Sequence, residues 1–307
     1  MSIRAVRTHV TATPTLEGAG VHLRRAFGFG DTEATDPFLL LDDFRNDVPD
    51  AYMRGFPWHP HRGIETITYV LAGTVDHADS LGNQGAIGAG DVQWMTAGRG
   101  IVHQEMPHGD PEGRMHGFQL WANLPQSRKM TAPRYQDVAV ADIPVVTDDD
   151  GTSVRVICGE FWGRRGPVDG IAAEPQYLDI TVPAGVERTL PVARSKNVFA
   201  YVFAGGGAFR DASAPRPVAT DTVTEGGQFD DDRARYDTDV ANRSLVLFDT
   251  GDEIRLRAGD DGLRFLLVSG APIREPIAWH GPIVMNTQQE LAHAFAQLRA
   301  GTFLDVR

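Results

Sequence analysis

The sequence predicts a mainly β protein made of two similar β units in tandem, followed by one short C-terminal α-helix. Glycine (33 residues) and proline (19 residues) punctuate short runs of Val, Ile, Leu, Phe and Thr throughout the 307 residues. Short strands separated by glycine-containing turns are typical of a β-sandwich or β-barrel. The chain also repeats itself loosely, and helical periodicity is weak until its C-terminal end.

Apolar runs rich in β-branched and aromatic residues predict eight strands along the chain. The predicted strands are Glu65–Leu71, Val92–Met95, Gly117–Trp121, Val154–Ile157, Tyr177–Val182, Val198–Phe203, Leu245–Phe248 and Leu263–Val268.

Repeated turn patterns indicate the two units. The segment Val70–Thr74 (VLAGT) resembles Val202–Gly206 (VFAGG), and Gly88–Asp91 (GAGD) resembles Asp249–Asp252 (DTGD). We predict the join between Ala132 and Asp150, where the chain becomes polar. The predicted domains are an N-terminal metal-binding unit over 1–135, a second unit without a metal site over 136–286, and a C-terminal helix and tail over 287–307.

The C-terminal helix is predicted from its ends and from one apolar stripe. Thr287 and Glu290 form a capping-box pattern, and Gly301 is a plausible stop signal. Leu291, Phe295 and Leu298 recur at helical spacing and predict the face that packs on the β body. The second unit also carries a long acidic stretch, 211–242, which is predicted to be a surface loop whose run Asp230–Asp232 is solvated.

Composition and charge exclude several classes of function. The net charge of −12 and the pI of about 5.2 argue against a basic nucleic-acid-binding surface. The single cysteine, Cys158, permits no intrachain disulfide and is predicted to be a small buried apolar residue. Neither a signal-peptide core nor an apolar run of membrane-spanning length is present, so we expect a cytoplasmic monomer without membrane or direct nucleic-acid contacts.

Two short motifs carry pairs of metal donors, His59-Pro60-His61 and His103-Gln104-Glu105. Residues two apart in an extended strand point to the same side, so each pair directs two donors into one space. If the two segments face each other, three imidazoles and a carboxylate converge on one ion. This sulfur-free donor set suits first-row transition metals. The alternative is that His59 and His61 are surface histidines of a proline-containing loop.

The histidines are distributed unevenly. Eight of the ten lie at or before His116, and only His280 and His293 follow. His293 falls on the predicted exposed face of the terminal helix. The second unit therefore cannot build the same site, and we expect one unit to bind metal while the other is structural or shapes the cleft.

The segments around these motifs resemble the pirin family, and the resemblance covers nearly the whole chain. The segments that carry it are Pro37–Phe44, Gly55–Thr66, Gln93–Met106, His116–Trp121 and Glu275–Thr287. Pirins are bicupins, so the resemblance implies two tandem antiparallel cupin β-barrels in an all-β (mainly) protein with a short C-terminal helix. It also implies one mononuclear metal, usually iron, in the N-terminal barrel and none in the other.

Matching the motifs makes His59, His61, His103 and Glu105 the implied metal ligands. The general cupin pattern also offers Glu65, which we treat as an outer group or a competing ligand. One transition metal ion per chain is expected: Fe(II) first, with Mn, Co, Ni, Cu and Zn as alternatives. Candidates for orienting the imidazoles from outside are Asp43, Gln93 and Gln119. The predicted substrate pocket comprises Phe56, Trp58, Arg62, Glu65, Gln93, His116 and Gln119.

Other aromatic and histidine residues have two interpretations each. Phe56, Trp58, Trp94 and Trp121 could form an aromatic wall for a planar substrate or pack in the core. His116 could line the pocket, whereas His77 and His108 are predicted to be solvated or hydrogen-bonded loop residues.

Two functions follow from the resemblance, and an enzymatic role is left open. In the first, the metal and Glu105 as general base support cleavage of a flavonol such as quercetin by dioxygen, as in the pirins that are quercetin 2,3-dioxygenases. In the second, the protein is a non-enzymatic, iron-dependent redox sensor that regulates transcription factors or metabolic enzymes through protein–protein contacts.

Overall fold

The computed structural model describes residues 1–220 and 238–305. Most of the acidic stretch predicted as a surface loop, including Asp230–Asp232, lies outside the described residues. Among the described residues, no helix is both long and apolar enough to span a membrane.

The first half of the chain contains twelve strands and one short helix. They are β1 (Val6–Thr11), β2 (Thr13–Glu17), β3 (Val21–Phe27), α1 (Thr32–Thr35), β4 (Phe38–Asp43), β5 (Phe56–His61), β6 (Ile64–Ala72), β7 (Thr74–Asp79), β8 (Gln84–Ile87), β9 (Val92–Thr96), β10 (Ile101–His108), β11 (His116–Asn123) and β12 (Arg134–Val138).

The second half continues with further strands and the terminal helix. They are β13 (Val145–Thr147), β14 (Ser153–Cys158), β15 (Glu160–Phe161), β16 (Arg164–Arg165), β17 (Gln176–Val182), β18 (Glu187–Pro191), β19 (Asn197–Phe209), β20 (Ala219–Thr220), β21 (Asp239–Ala241), β22 (Ser244–Phe248), β23 (Glu253–Gly270), β24 (Ala278–His280), β25 (Ile283–Met285) and α2 (Gln288–Ala300). Short 3-10 turns lie at Pro49–Ala51, Gln126–Arg128 and Val140–Asp142.

The predicted fold class is confirmed, because the described residues are mainly β and all eight predicted runs lie within observed strands. The predicted closed barrels are corrected to a cupin-like β-sandwich. The strands hydrogen-bond into open sheets with free edges instead of closing into rings. An open sheet buries one face against a second sheet, which satisfies the same apolar pattern as closure does.

The described chain divides into two compact units, and each terminus belongs to the unit built mainly by the other half of the chain. The first unit comprises Thr13–Thr32, Asp36–Asp142 and the chain from Ile273 onward. The second unit comprises Met1–Ala12, Glu33–Thr35 and Ile143–Pro272. The predicted ranges 1–135, 136–286 and 287–307 run along the chain without such an exchange.

The first unit contains two facing sheets. One sheet has four strands in the order β5-β10-β7-β8, and the other has seven in the order β12-β9-β6-β11-β4-β3-β2. Between them lies an apolar cluster drawn from both sheets, including Val21, Leu23, Val70, Val75 and Ile87.

The second unit is organised around the long strands β19 and β23. Its main sheet has the order β13-β14-β17-β23-β19-β22-β1-β20, with β18 on β23 and β21 on β19. The N-terminal strand β1 pairs antiparallel with β22, with His9 opposite Val246. The predicted burial of Cys158 is confirmed, since the residue is 3% exposed.

The C-terminal helix follows the sequence prediction closely. The Thr287 hydroxyl accepts a hydrogen bond from the Glu290 backbone N–H, and the Glu290 carboxylate accepts one from the Thr287 backbone N–H. Gly301 ends the helix in the left-handed conformation with φ of 72°. Leu291 is buried, and Phe295 and Leu298 pack against the same cluster.

Two buried cations attach the C-terminal segment to the body of the first unit. The Arg62 guanidinium donates to Arg99 O, Gln297 Oε1 and Phe303 O at 2.6–2.7 Å. The Lys129 ammonium donates to Gly63 O, Asn123 Oδ1 and Val284 O at 2.7–3.1 Å. Gly63 has φ of +79°, and a Cβ there would lie 1.9 Å from Val284 O, so only glycine permits this approach.

Candidate metal centre

Strands β5 and β10 bring the two histidine motifs together. They pair antiparallel, with His103 directly opposite His59 and Glu105 opposite Phe56. Because β5 advances three residues where β10 advances two, a β-bulge turns Phe56 to the same side as His59. The prolines of this segment are tolerated because β5 is an edge strand of its sheet.

Three imidazoles surround one point. A ring nitrogen from each of His59, His61 and His103 lies within 4.8 Å of the others. The ring centroids are 4.8 Å apart for His59 and His61, 4.5 Å for His59 and His103, and 5.0 Å for His61 and His103. The strand alternation predicted from the sequence therefore produces a real cluster.

The hydrogen bonds of two rings fix where their lone pairs point. His59 Nδ1 lies 2.9 Å from Pro57 O, and His61 Nδ1 lies 3.3 Å from Pro282 O. A carbonyl accepts only, so each Nδ1 carries the proton and each Nε2 carries a lone pair. The two Nε2 atoms nevertheless lie 3.0 Å apart. Two facing lone pairs at this distance repel each other unless a cation lies beside both.

The third ring is buried without a hydrogen bond. His103 is 1% exposed, and neither of its nitrogens has a hydrogen-bond partner. An unsatisfied imidazole in the protein interior costs free energy, and metal coordination removes part of this cost. The cluster therefore has the donors and the orphaned polar atoms expected of a metal site.

Electrostatics keep the cluster in the form that binds metal. Burial lowers the pKa of His59, with a further contribution from His103, and lowers the pKa of His61 well below its usual value. Burial also lowers the pKa of His103 to about 4. Neutral imidazole is the ligand form, so metal binding at neutral pH releases no proton from these rings.

Glu105 lies beside the cluster. Its Oε2 is 4.0 Å from His103 Nε2, and burial raises its pKa above the usual value for a glutamate. The Thr68 hydroxyl lies 3.2 Å from Glu105 Oε1 and 2.8 Å from the Gln119 side-chain amide. The Gln119 atom is Oε1, so both neighbours are acceptors and the single Thr68 hydroxyl proton is donated to one of them at a time.

The donor set fits a transition metal ion of intermediate softness. Three histidine nitrogens form the cluster, the Glu105 carboxylate lies beside it, and no cysteine belongs to the cluster among the described residues. Two nitrogens that each lie about 2.1 Å from one ion at a right angle are about 3.0 Å apart, which agrees with the His59–His61 separation.

The cluster opens into a cavity of about 510 Å³ within the first unit. His59, His61 and Glu105 line it, and so do apolar residues including Leu23, Leu40, Phe44, Phe56 and Trp121. This volume and this largely apolar lining with a few polar groups are typical of small-molecule sites.

The structure places only two of the seven predicted pocket residues, Phe56 and Gln119, in the wall of this cavity. Trp58 is 53% exposed on the outer side of β5. Arg62 is buried and holds the C-terminal segment instead, because its guanidinium is saturated by backbone and amide oxygens. His116 pairs with the exposed Asp47.

Glu65 and Gln93 belong to other hydrogen-bond groups. Glu65 lies on β6 of the seven-stranded sheet, where its carboxylate accepts from the Thr96 hydroxyl at 2.8 Å. Gln93 donates to Asp137 and lies 3.0 Å from His77 Nε2. Thr68 of the same strand lines the cavity, and Glu65, three residues away, lies on the opposite face of β6, so its carboxylate is directed away from the histidines.

Several further expectations need correction. The imidazoles of His59 and His61 are oriented by backbone carbonyls instead of by Asp43, Gln93 or Gln119. His77 is a buried strand residue of β7, not a loop residue. Of the two interpretations of Trp94, core packing holds, because its side chain is fully buried. His108 is exposed and bonds Asp76, as expected for a hydrogen-bonded surface histidine.

Sequence reasoning missed the contribution of the C-terminal segment. Trp279, Gly281 and Pro282 line the cavity, and the Pro282 carbonyl fixes the His61 ring. Trp121 forms edge contacts with His61 at 5.1 Å and lies 6.1 Å from Trp279. The sequence did contain a signal for this contribution, because the segment Glu275–Thr287 is one of those that resemble the pirin family. The resemblance did not indicate that this segment lies beside the histidines.

Two cupin units, with a histidine cluster in one of them, define a bicupin with a candidate metal centre. The profile described as Pirin matches residues 20–122, and the profile described as Pirin C-terminal cupin domain matches residues 177–304. The chain belongs to the pirin family.

Similar proteins cover essentially the whole chain. A pirin-like protein of Caulobacter vibrioides is 43% identical over 304 residues, spanning 99% of this chain and 100% of the relative. A pirin-like protein of Solanum lycopersicum is 39% identical, spanning 97% of this chain and 92% of the relative. The crystal structure of a quercetin 2,3-dioxygenase from Acinetobacter baumannii aligns with a TM-score of 0.83 and 30% identity, covering 99% of each chain.

Proposed function

We propose that this protein is a metal-dependent dioxygenase that cleaves a flavonol such as quercetin. The observation that carries the proposal is a cluster of three neutral imidazoles beside a buried carboxylate, of which His59, His61 and Glu105 line a cavity of about 510 Å³. The similarity to a quercetin 2,3-dioxygenase supports the choice of substrate class.

His59, His61 and His103 would hold the ion, with Glu105 as the fourth ligand or as a base beside it. We propose Fe(II) as the metal, with Mn, Co, Ni, Cu and Zn as the alternatives. When bound, the ion supplies Lewis acidity that lowers the pKa of a flavonol hydroxyl.

Glu105 would accept the proton of that hydroxyl. Burial raises its pKa, which makes the carboxylate a stronger base than an exposed glutamate. The Thr68 hydroxyl holds Glu105 Oε1 and so limits the rotation of the carboxylate. The apolar walls exclude water from the electron-rich flavonolate, which is the form that reacts with dioxygen.

An aerobic assay of the Fe(II)-loaded protein with quercetin tests this proposal. Loss of flavonol absorbance should require dioxygen and should disappear in His59→Ala, because one of the three imidazoles is lost. His108→Ala is the matched control, since His108 is an exposed histidine at the end of β10, the strand that carries His103. Equal rates in His59→Ala and the parent protein would contradict the proposal.

Metal analysis of protein purified without added metal should find about one ion per chain. The alternative of an iron-dependent regulator predicts instead that capture of a protein partner changes with the oxidation state of iron, without flavonol turnover. The cytoplasmic location and monomeric state stay predictions.

A further inference from the structure

A continuous row of polar side chains crosses the sheet that faces the histidines. Thr68 of β6 lies directly opposite Gln119 of β11, Gln119 lies opposite Asp42 of β4, and Asp42 lies opposite Arg25 of β3. Glu17 of β2 extends the row through its ion pair with Arg25. All five residues line the cavity, and we refer to them as the polar row.

The row begins at the candidate metal centre and leads away from it. Thr68 contacts Glu105 at one end. Neighbouring strands are about 4.8 Å apart, so the three intervals from β6 to β3 extend for about 14 Å. This is long enough to follow a flavonol whose central ring, which carries the metal-binding hydroxyl, lies at the histidines and whose pendant phenyl ring extends along the row.

The far end of the row is fixed in position. The Arg25 guanidinium donates through Nε and Nη2 to the two carboxylate oxygens of Asp42, each at 2.8 Å. Nη2 also lies 2.8 Å from Glu17 Oε1. Bidentate pairing of this kind holds both partners in one geometry, so the row does not need to reorganise when a ligand enters.

The chemistry of this end favours hydrogen-bond donors that carry no negative charge. Two carboxylates and one guanidinium give a net charge of −1, and Glu105 adds another carboxylate to the same cavity. Each carboxylate offers about four acceptor positions, more than Arg25 occupies. An aromatic carboxylate would be repelled, whereas phenolic hydroxyls can donate to Asp42 and Glu17.

We propose that the polar row is a specificity subsite for neutral polyhydroxylated aromatic ligands, with Asp42 and Glu17 accepting from hydroxyl groups on the ring distant from the metal. This inference rests on the proposed function for the placement of the flavonol's central ring at the histidines. It adds a preference within the flavonols for those that carry hydroxyl groups on the pendant phenyl ring.

Binding without turnover tests the subsite. The Zn(II)-loaded protein is titrated under nitrogen with two flavonols, and tryptophan fluorescence gives each Kd. Quercetin carries two hydroxyls on its pendant phenyl ring, whereas galangin carries none on that ring. Hydrogen bonds to charged groups predict that quercetin binds about tenfold more tightly. Glu17→Gln and Asp42→Asn should both reduce this ratio towards one.

Glu112→Gln is the matched control, since Glu112 is an exposed carboxylate paired with an arginine outside the cavity. It should keep the full quercetin preference. Asp42 is buried, so Asp42→Asn could also affect folding. Glu17→Gln avoids this problem, because the Glu17 side chain is 40% exposed and its replacement should not destabilise the fold.

Equal Kd values for the two flavonols, an unchanged ratio in both variants, or tighter binding of an aromatic amine or aromatic acid would overturn the subsite. The two proposals fail differently. A quercetin preference without oxygen-dependent turnover would contradict the dioxygenase proposal and support the subsite. Turnover of both flavonols without a difference in Kd would support the dioxygenase proposal and contradict the subsite.

Discussion

Replacing His103 by leucine should make the metal-free protein more stable and its stability less dependent on pH. His103 is buried with both ring nitrogens unpaired, and each buried unsatisfied polar group costs about 1–3 kcal/mol. Leucine has a similar size and no polar atom. At pH 7.5 the free energy of unfolding of metal-free His103→Leu should therefore exceed that of the parent by about 1–3 kcal/mol.

The pH dependence follows from the same burial. The pKa of His103 is lowered from 6.5 to about 4 by burial and, to a lesser extent, by the nearby His77. A basic group with a lowered pKa contributes stability that is complete above pH 6.5 and is lost as pH falls towards 4. At 1.36 kcal/mol for each tenfold change in proton affinity, the parent should lose about 3 kcal/mol over this range through His103 alone.

Urea unfolding followed by tryptophan fluorescence measures both effects. Four of the five tryptophans, Trp58, Trp94, Trp121 and Trp279, lie in the first unit, so the signal reports chiefly on the unit that carries the histidines. Added metal should stabilise the parent and not the variant, since a ligand that binds only the folded state shifts unfolding by mass action. His108→Leu serves as the exposed control.

A lower stability of metal-free His103→Leu at pH 7.5, or a pH slope equal to that of the parent, would refute the reasoning. Either result would mean that the imidazole is satisfied in the absence of metal. The burial and hydrogen-bond pattern of the cluster would then have no connection with metal binding.

Three further changes have defined outcomes. Arg62→Met should expose the C-terminal segment to proteolysis, measured by limited digestion, because the three side-chain hydrogen bonds of Arg62 are lost. It should also weaken metal binding, measured by metal titration, because the same segment carries the Pro282 carbonyl next to His61 Nδ1. Thr287→Ala should lower the free energy of unfolding by about 0.5–2 kcal/mol through loss of the helix cap. Cys158 should react with a thiol reagent only after unfolding, followed by absorbance, because it is 3% exposed.

Each of these has a contrary result. Unchanged digestion of Arg62→Met would show that the helix is held by apolar packing alone. Full stability of Thr287→Ala would show that water replaces the cap without cost. Rapid labelling of Cys158 in the native protein would show that β14 opens locally.

Local sequence patterns were sufficient to predict the strands, the C-terminal helix and the two metal-donor pairs. The strand runs and the capping box of α2 depend on residues within a few positions of one another, so their periodicity is visible in the sequence. The same holds for the two donor pairs. His59 and His61, like His103 and Glu105, share a strand face because of the two-residue repeat of an extended chain.

Only the tertiary structure decided what surrounds those donors. The carbonyl that orients His61 belongs to Pro282, more than two hundred positions away. Arg62, which the sequence analysis assigned to the pocket, instead donates a hydrogen bond to the Phe303 carbonyl near the C-terminus. Four of the five residues of the polar row meet through the register of β6, β11, β4 and β3, and a shift of one residue would turn their side chains to the other face. The sequence by itself thus determined the elements and the donor pairs, whereas the packing of distant segments determined the cavity, because contacts between such segments leave no periodic trace in the chain.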